Sequence, residues 1–257
     1  MPGESAKTTC RDLCAGRLTA TESLLPQILF VHGGFHGAWC WRAALTFLSE
    51  HGVGAAAVDL RGHGGLPQDA SFIDQGIEAM LADVVEAAQL LPEGIILAGH
   101  SLGALIVLQA ATRLSPRGLI LLAPAAPAGL LDHALPVFPP ERPVRPPGEA
   151  RARKWFMSGS ASGDIGAYLA RLCAESPALL NECFHAGVAV DPGAIDCPIL
   201  CVSGALDDSP LHPRGQDEAV AAYYGAALHV VPRSGHCMML DDGWRHTATA
   251  MLDFIMT

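Results

Sequence analysis

Gly99-His100-Ser101-Leu102-Gly103 lies directly after the apolar run Gly94–Ala98 (GIILA) and directly before the helix-like run LGALIVLQAATRL. A G-x-S-x-G turn between a strand and a helix holds a serine hydroxyl on a sharp, strained bend at the end of a sheet. Such a bend needs small residues on both sides, and Gly99 and Gly103 leave no Cβ where the backbone folds back. A hydroxyl is a poor nucleophile at neutral pH, so Ser101 requires a base that titrates near pH 7 and a third group to orient that base. Of the 11 histidines, His236 is the candidate: it stands in Ser234-Gly235-His236, after the last strand-like run and before the final helix-like one. His100 adjoins the nucleophile, but its side chain points away from that of Ser101 and is assigned to the substrate pocket. His32, inside His32-Gly33-Gly34, is expected to be structural.

The acid should come from the carboxyl end of the strand between nucleophile and base, because ligand-binding residues gather at that edge of a parallel sheet. Pro198–Ser203 (PILCVS) runs into Gly204-Ala205-Leu206-Asp207-Asp208. Asp207 is preferred to Asp208, since a G-x-x-D turn returns its carboxylate to the sheet edge. The order Ser101, Asp207, His236 then matches the nucleophile, acid, base order that accompanies this kind of elbow. An acyl-transfer oxyanion needs amide donors already in place. One is the Leu102 amide at the start of the helix, where unpaired N–H groups and the dipole favour negative charge. The other belongs to the Gly-rich loop His32–Gly37, with Gly34 the first choice and Phe35 the second. Phe35 and Met238 are further pocket candidates.

These residues need a scaffold, and the hydrophobic periodicity supplies one. Gln27–Val31, Val53–Leu60, Gly94–Ala98, Gly118–Ala123, Pro198–Ser203 and Leu228–Pro232 are short apolar runs bounded by Gly, Pro or Asp, as buried strands are. Trp39–His51, Phe72–Leu91, Leu102–Leu114, Asp217–Tyr224 and Trp244–Met256 space their apolar residues three and four apart, as helices do. Alternating strand and helix implies a mostly parallel α/β sheet covered by helices on both faces. The alternation breaks from Pro124 to Asp196, where a Pro- and Arg-rich stretch and three short helical runs (Arg151–Ser158, Ile165–Ala174, Pro177–Ala186) interrupt two core strands. Residues 124–196 therefore read as a small helical cap on a core of 1–123 and 197–257. The first 25 residues leave the first sheet edge undefined.

Composition narrows the partners. The 257 residues carry 16 Lys+Arg against 26 Asp+Glu, a formal charge of −10, and only 16% are charged where roughly 25% is ordinary. That field disfavours nucleic acid and anionic membranes. No apolar run reaches a membrane span of about 18 residues and no signal-peptide pattern opens the chain, so a cytoplasmic location is expected. The eight cysteines (10, 14, 40, 173, 183, 197, 201 and 237) form no CxxC pair and read as reduced thiols. Five basic residues, Arg142, Arg145, Arg151, Arg153 and Lys154, crowd into 13 positions of the cap, either as a solvated connector or as a positive rim that attracts a carboxylate, a phosphate or an acidic carrier protein.

The motifs HGGFHGAWCW, DLRGHG (Asp59–Gly64), GHSLGA (Gly99–Ala104), GALDD and SGH, in this order, resemble the α/β-hydrolase fold family, and the likeness extends from Gln27 to the last residue apart from the cap. HGGFHGAWCW in particular looks like the esterase and hydroxynitrile-lyase branch, in which the third residue of the HG-x loop, here Gly34, lends its amide to the oxyanion hole. The resemblance implies a cap over the site, and no metal or organic cofactor is implied. Lyase members follow the catalytic histidine with a lysine, where this chain has Cys237. Dehalogenases and epoxide hydrolases carry an Asp nucleophile, where this chain has Ser101. The expected activity is hydrolysis of a small or medium, largely apolar carboxylic ester or lactone through an acyl-enzyme. The alternatives are a thioesterase or acyltransferase fed by an acidic carrier at Arg142–Lys154, and a ligand receptor with a relic triad.

Overall fold

The computed structural model describes residues 18–20, 26–131, 135, 137–160 and 164–257. Cys10 and Cys14 lie outside them, and the six cysteines inside form no disulfide. Seven strands make one sheet: β1 (Leu18–Ala20), β2 (Pro26–Val31), β3 (Gly54–Val58), β4 (Ile96–His100), β5 (Gly118–Leu122), β6 (Ile199–Gly204) and β7 (Ala227–Val231), in the order β1-β3-β2-β4-β5-β6-β7. Six are parallel, and β1 pairs antiparallel with β3, which supplies the sheet edge that the sequence left undefined. Strands β3 to β6 are buried along their whole length. That is why they appear as continuous apolar runs rather than alternating ones.

The helices of the core are α1 (Arg42–Glu50), α2 (Ile77–Gln89), α3 (Leu102–Ala111), α7 (Gln216–Tyr224) and α8 (Trp244–Ile255). In α2 the buried set Ile77, Met80, Leu81, Val84 and Ala87 follows the three-and-four spacing that marked this helix. α3 buries nearly every residue, so its sequence is apolar all round. Two expected helices of the core begin later than their patterns. Trp39–His51 opens with a 3-10 turn, Ala38–Trp41, before α1 begins. Phe72–Leu91 divides at Gly76 into a 3-10 turn, Ala70–Asp74, and α2. There the Glu182 carboxylate accepts the Ile77 N–H at 2.6 Å, and a Cβ on Gly76 would collide with it, so a partner 105 residues away fixes the break.

Between β5 and β6 lie α4 (Glu149–Trp155), α5 (Ile165–Leu169) and α6 (Pro177–Asn181), the last continued by a π-helical turn to Ala186. Ser176 caps α6 by accepting the Leu179 N–H, and Pro177 occupies its first turn. Val144 and Glu175 exchange backbone hydrogen bonds of 2.8 Å, which tie two interior stretches of this insert together. Among the described residues no helix is long and apolar enough to cross a membrane.

Candidate active site

Ser101 follows β4 with φ 53° and ψ −118°, a left-handed conformation unusual for a residue with a side chain. Its N–H donates to the Leu122 carbonyl at 2.8 Å, and its own carbonyl accepts from Ala104 and Ala125, so the turn is held from both sides. A Cβ on Gly99 would strike the Gly103 carbonyl, and one on Gly103 would strike the backbone of Val31 and His32. Both glycines are thus required by close approach. Strain of this kind costs about 1–3 kcal/mol and persists only where the surroundings enforce it. Leu102 opens α3, so its amide has no carbonyl of its own helix to bond.

Asp207 and His236 come together from the ends of β6 and β7. His236 Nδ1 lies 2.7 Å from Asp207 Oδ2, and both side chains are buried. The Asp207 N–H donates to the Gly204 carbonyl at 2.9 Å, closing the G-x-x-D turn. Asp208 points elsewhere, exposed and 3.8 Å from Arg214. Asp241, which no sequence motif marked, fixes the loop that carries His236 by accepting from Gly235 N–H at 2.8 Å, Gly243 N–H at 2.8 Å and Ser234 Oγ at 3.1 Å. His100 Nε2 donates to the His236 carbonyl at 2.9 Å. Among the described residues no hydrogen bond joins the Ser101 hydroxyl to His236, although both line one cavity; such bonds commonly tighten only when substrate binds.

A second histidine stands behind the acid. His212 Nε2 is 2.9 Å from Asp217 Oδ1 and 3.5 Å from Asp207 Oδ2. Asp207, His212 and His236 offer donor atoms within 4.8 Å of one another, a spacing that could hold a metal ion. The Gln216 amide nitrogen, however, reaches both the Pro124 carbonyl at 2.7 Å and His212 Nδ1 at 2.9 Å. A carbonyl can only accept, so the amide is oriented by it and donates to Nδ1, which places the His212 proton on Nε2. An N–H rather than a lone pair therefore faces the carboxylates. Burial draws His212 downward, but Asp217 and then Asp207 outweigh it and hold its pKa above the ordinary value.

The loop after β2 holds the two amides, Gly34 and Phe35, between which the sequence leaves a choice. The Phe35 N–H donates to Glu175 Oε2 at 3.0 Å and is thereby used up, which leaves Gly34, the first choice, as the free amide of the pair. His63, from the DLRGHG stretch, donates to the same carboxylate oxygen at 3.0 Å. Both partners are about 1% exposed. Burial pushes Glu175 up, but His63 and the hydrogen bonds it accepts bring it below the ordinary carboxylate range; His63 is drawn down by burial and raised overall by Glu175. Asp59 and Arg61 serve the loop itself: Asp59 accepts the Ala38 N–H, and Arg61 binds Asp83 through both carboxylate oxygens. Neither His63 nor Glu175 was marked by spacing, since 112 residues separate them.

The cavity above Ser101 measures about 440 Å³. Gly34, Phe35, His100, Ser101, Leu102 and His236 form its floor, and the insert gives aromatic walls in Phe138, Trp155, Phe156 and Phe184. Two of the five clustered cations, Arg145 and Arg151, line it as well, and no carboxylate among the described residues does. Arg153 is spent on Glu149 at 3.0 Å. Met238 is a correction: it is fully buried in the hydrophobic core and does not border the cavity, because the chain dives beneath α8 there, where Thr247 bonds the Met238 carbonyl.

A serine on a tight strand-to-helix turn, with an acid-histidine pair at the same edge of a parallel sheet, is the architecture of the α/β hydrolases. Residues 28–246 match the alpha/beta hydrolase family, and the chain belongs to it. Over 95 residues it is 38% identical to putative methylesterase 12, chloroplastic, of Arabidopsis thaliana, a match that covers 36% of this chain and 27% of that protein. It is also 34% identical over 95 residues to esterase PIR7B of Oryza sativa subsp. japonica, covering 36% and 35%. The chain thus aligns with about a third or less of the length of these relatives. In solved structures its fold is similar to that of methylesterase MES16 from Arabidopsis, with a TM-score of 0.74, 21% identity and coverage of 90% and 99% of the two chains.

Proposed function

We propose that this protein is a serine hydrolase that cleaves a small or medium, largely apolar carboxylic ester or lactone through an acyl-enzyme. The observation that carries the reading is the shared cavity: Ser101, strained at positive φ, faces the same space as His236, whose Nδ1 is bound to Asp207 at 2.7 Å. Ser101 attacks the carbonyl while neutral His236 accepts the hydroxyl proton. Asp207 keeps the imidazole proton on Nδ1, so Nε2 is the basic atom, and stabilises the imidazolium that forms. The amides of Gly34 and Leu102 receive the oxyanion. His236 then returns the proton to the departing alcohol, and water, deprotonated by the same imidazole, releases the acid. Residues 124–196 act as a cap whose aromatic walls select apolar groups.

Names of the relatives support an ester bond, and the cavity's apolar lining supports an apolar acyl or alcohol group. The carrier-dependent alternative rests on five exposed cap cations, of which Arg145 and Arg151 also border the cavity, where they are placed to meet a small substrate as readily as a carrier. The test is hydrolysis of p-nitrophenyl esters of increasing acyl length by the native chain and by Ser101→Ala. Turnover with a length optimum, abolished in the variant, is the expected result; turnover at background in both would overturn the assignment.

A further inference from the structure

We propose that Glu175, together with Tyr168 acting through His36, is a positioning residue for the oxyanion loop, so that the insert completes the catalytic apparatus as well as covering it. This rests on the hydrolase reading above.

Three groups of the insert grip the short stretch Gly34-Phe35. The Phe35 N–H donates to Glu175 Oε2 at 3.0 Å, and the Phe35 carbonyl accepts the Cys173 N–H at 2.9 Å. The Gly34 carbonyl lies 2.7 Å from His36 Nδ1, and the other ring nitrogen lies 2.9 Å from the Tyr168 hydroxyl. A carbonyl accepts only, so His36 Nδ1 is the donor; burial holds this histidine neutral, with its pKa down to about 4, and Nε2 therefore accepts from Tyr168. One step earlier the Gly33 carbonyl takes the His36 N–H at 3.3 Å and faces His32 Nδ1 at 2.9 Å. The carbonyls of Gly33, Gly34 and Phe35 are all engaged, and so is the Phe35 N–H. The Gly34 N–H is left without a protein acceptor among the described residues, on a loop that borders the cavity.

The grip is needed because Phe35 sits at φ +66°, which a phenylalanine does not hold unaided. Glu175 is itself fixed: Oε2 also accepts from His63 at 3.0 Å, and Oε1 accepts the Ser176 N–H at 2.9 Å. A carboxylate with every contact satisfied in a dry setting has little freedom to follow a wandering loop. Rotation of the Gly34–Phe35 peptide would break the Glu175 and His36 bonds together. The Gly34 N–H lies in the preceding peptide, whose Gly33 carbonyl is held by His36 and His32, and it is joined to the clamped Gly34–Phe35 plane at the Gly34 Cα, so its aim depends through that one joint on residues about 140 positions later in the chain.

Tyr168→Phe, which keeps the ring and removes the hydroxyl, and Glu175→Gln, which keeps the shape and removes the charge, separate this role from simple packing. An oxyanion exists only in the transition state and its intermediate, so misdirecting the donor lowers kcat and leaves KM nearly unchanged. We expect kcat for the best p-nitrophenyl ester to fall about 10- to 100-fold in Glu175→Gln and several-fold in Tyr168→Phe. Affinity for a trifluoromethyl ketone of the same acyl chain should weaken in parallel, while affinity for the carboxylic acid product stays within twofold. Folded variants that keep kcat and ketone affinity within twofold of the native protein, with Ser101-dependent turnover intact, would overturn the positioning role alone. Native protein without Ser101-dependent turnover would overturn both this role and the hydrolase reading. Should Glu175→Gln fail to fold, Tyr168→Phe decides.

Discussion

The imidazole of His212 stands 3.5 Å from Asp207 Oδ2, the oxygen that accepts from His236 at 2.7 Å, and 2.9 Å from Asp217. Asp207 is therefore flanked by histidines on two sides. Without His212, the carboxylates of Asp207 and Asp217 would share a buried space with no donor between them. Removing one partner from such a cluster costs about 3–5 kcal/mol. His212→Leu should lower the Tm by several degrees, and thermal unfolding followed by circular dichroism checks it; an unchanged midpoint would show that the two acids do not depend on the ring.

Asp207→Asn should leave the fold intact and reduce kcat by about four orders of magnitude, because the amide favours the wrong tautomer of His236. Asp208→Asn, at a residue half exposed and loosely paired with Arg214, should leave kcat within twofold. Steady-state kinetics on the two variants distinguishes the neighbouring acids.

Histidines set the pH dependence of stability in two opposing groups. His32, His36 and His100 are held below 6.5, chiefly by burial, so between their folded values and 6.5 the unfolded chain binds more protons and acid destabilises the fold. His63 and His212 are raised, so their contribution is complete below 6.5 and disappears as pH rises through their folded values. Together they place the histidine-linked stability maximum near pH 6.5. Urea unfolding from pH 4.5 to 8.5 tests this; stability still climbing between pH 7 and 8.5 would contradict it.

Arg145 and Arg151 are the formally charged side chains that border the cavity among the described residues. An ester whose far end carries a carboxylate should be hydrolysed with higher kcat/KM than its neutral analogue of equal length. Changing both arginines to Gln should erase that preference, a loss of about tenfold, and leave the neutral ester within twofold. As both arginines are exposed, the preference should also shrink between 50 and 300 mM salt. Equal kcat/KM for the two esters in the native protein would show that the arginines do not meet the substrate.

Local patterns carried what local physics decides. Gly99, Ser101 and Gly103 were legible because a strained turn restricts residue types within five positions, and Asp207 and His236 because each ends a strand of the same sheet. β1 was not legible: three residues in antiparallel pairing with β3 leave too short a pattern to recognise. Glu175, His63 and His212 were missed for a different reason. Glu175 and His212 are single polar residues in ordinary contexts, and DLRGHG marks His63 without naming its partner; the meaning of each comes from partners that only the folded chain supplies. Met238 was misplaced because nearness to His236 in sequence says nothing about which side of the chain meets the cavity.

The insert's hold on Phe35 constrains how such a protein can be diversified. A segment that only roofs a cavity could be exchanged among relatives to change what is cleaved while leaving the rate alone. Here a transplanted segment lacking a carboxylate at the place of Glu175 would arrive with the wrong footing for the loop beneath it. With Glu175 aiming the loop as proposed, selectivity and speed would be inherited together, and a scheme for altering one by swapping residues 124–196 would have to carry Tyr168, Cys173 and Glu175 across with the rest.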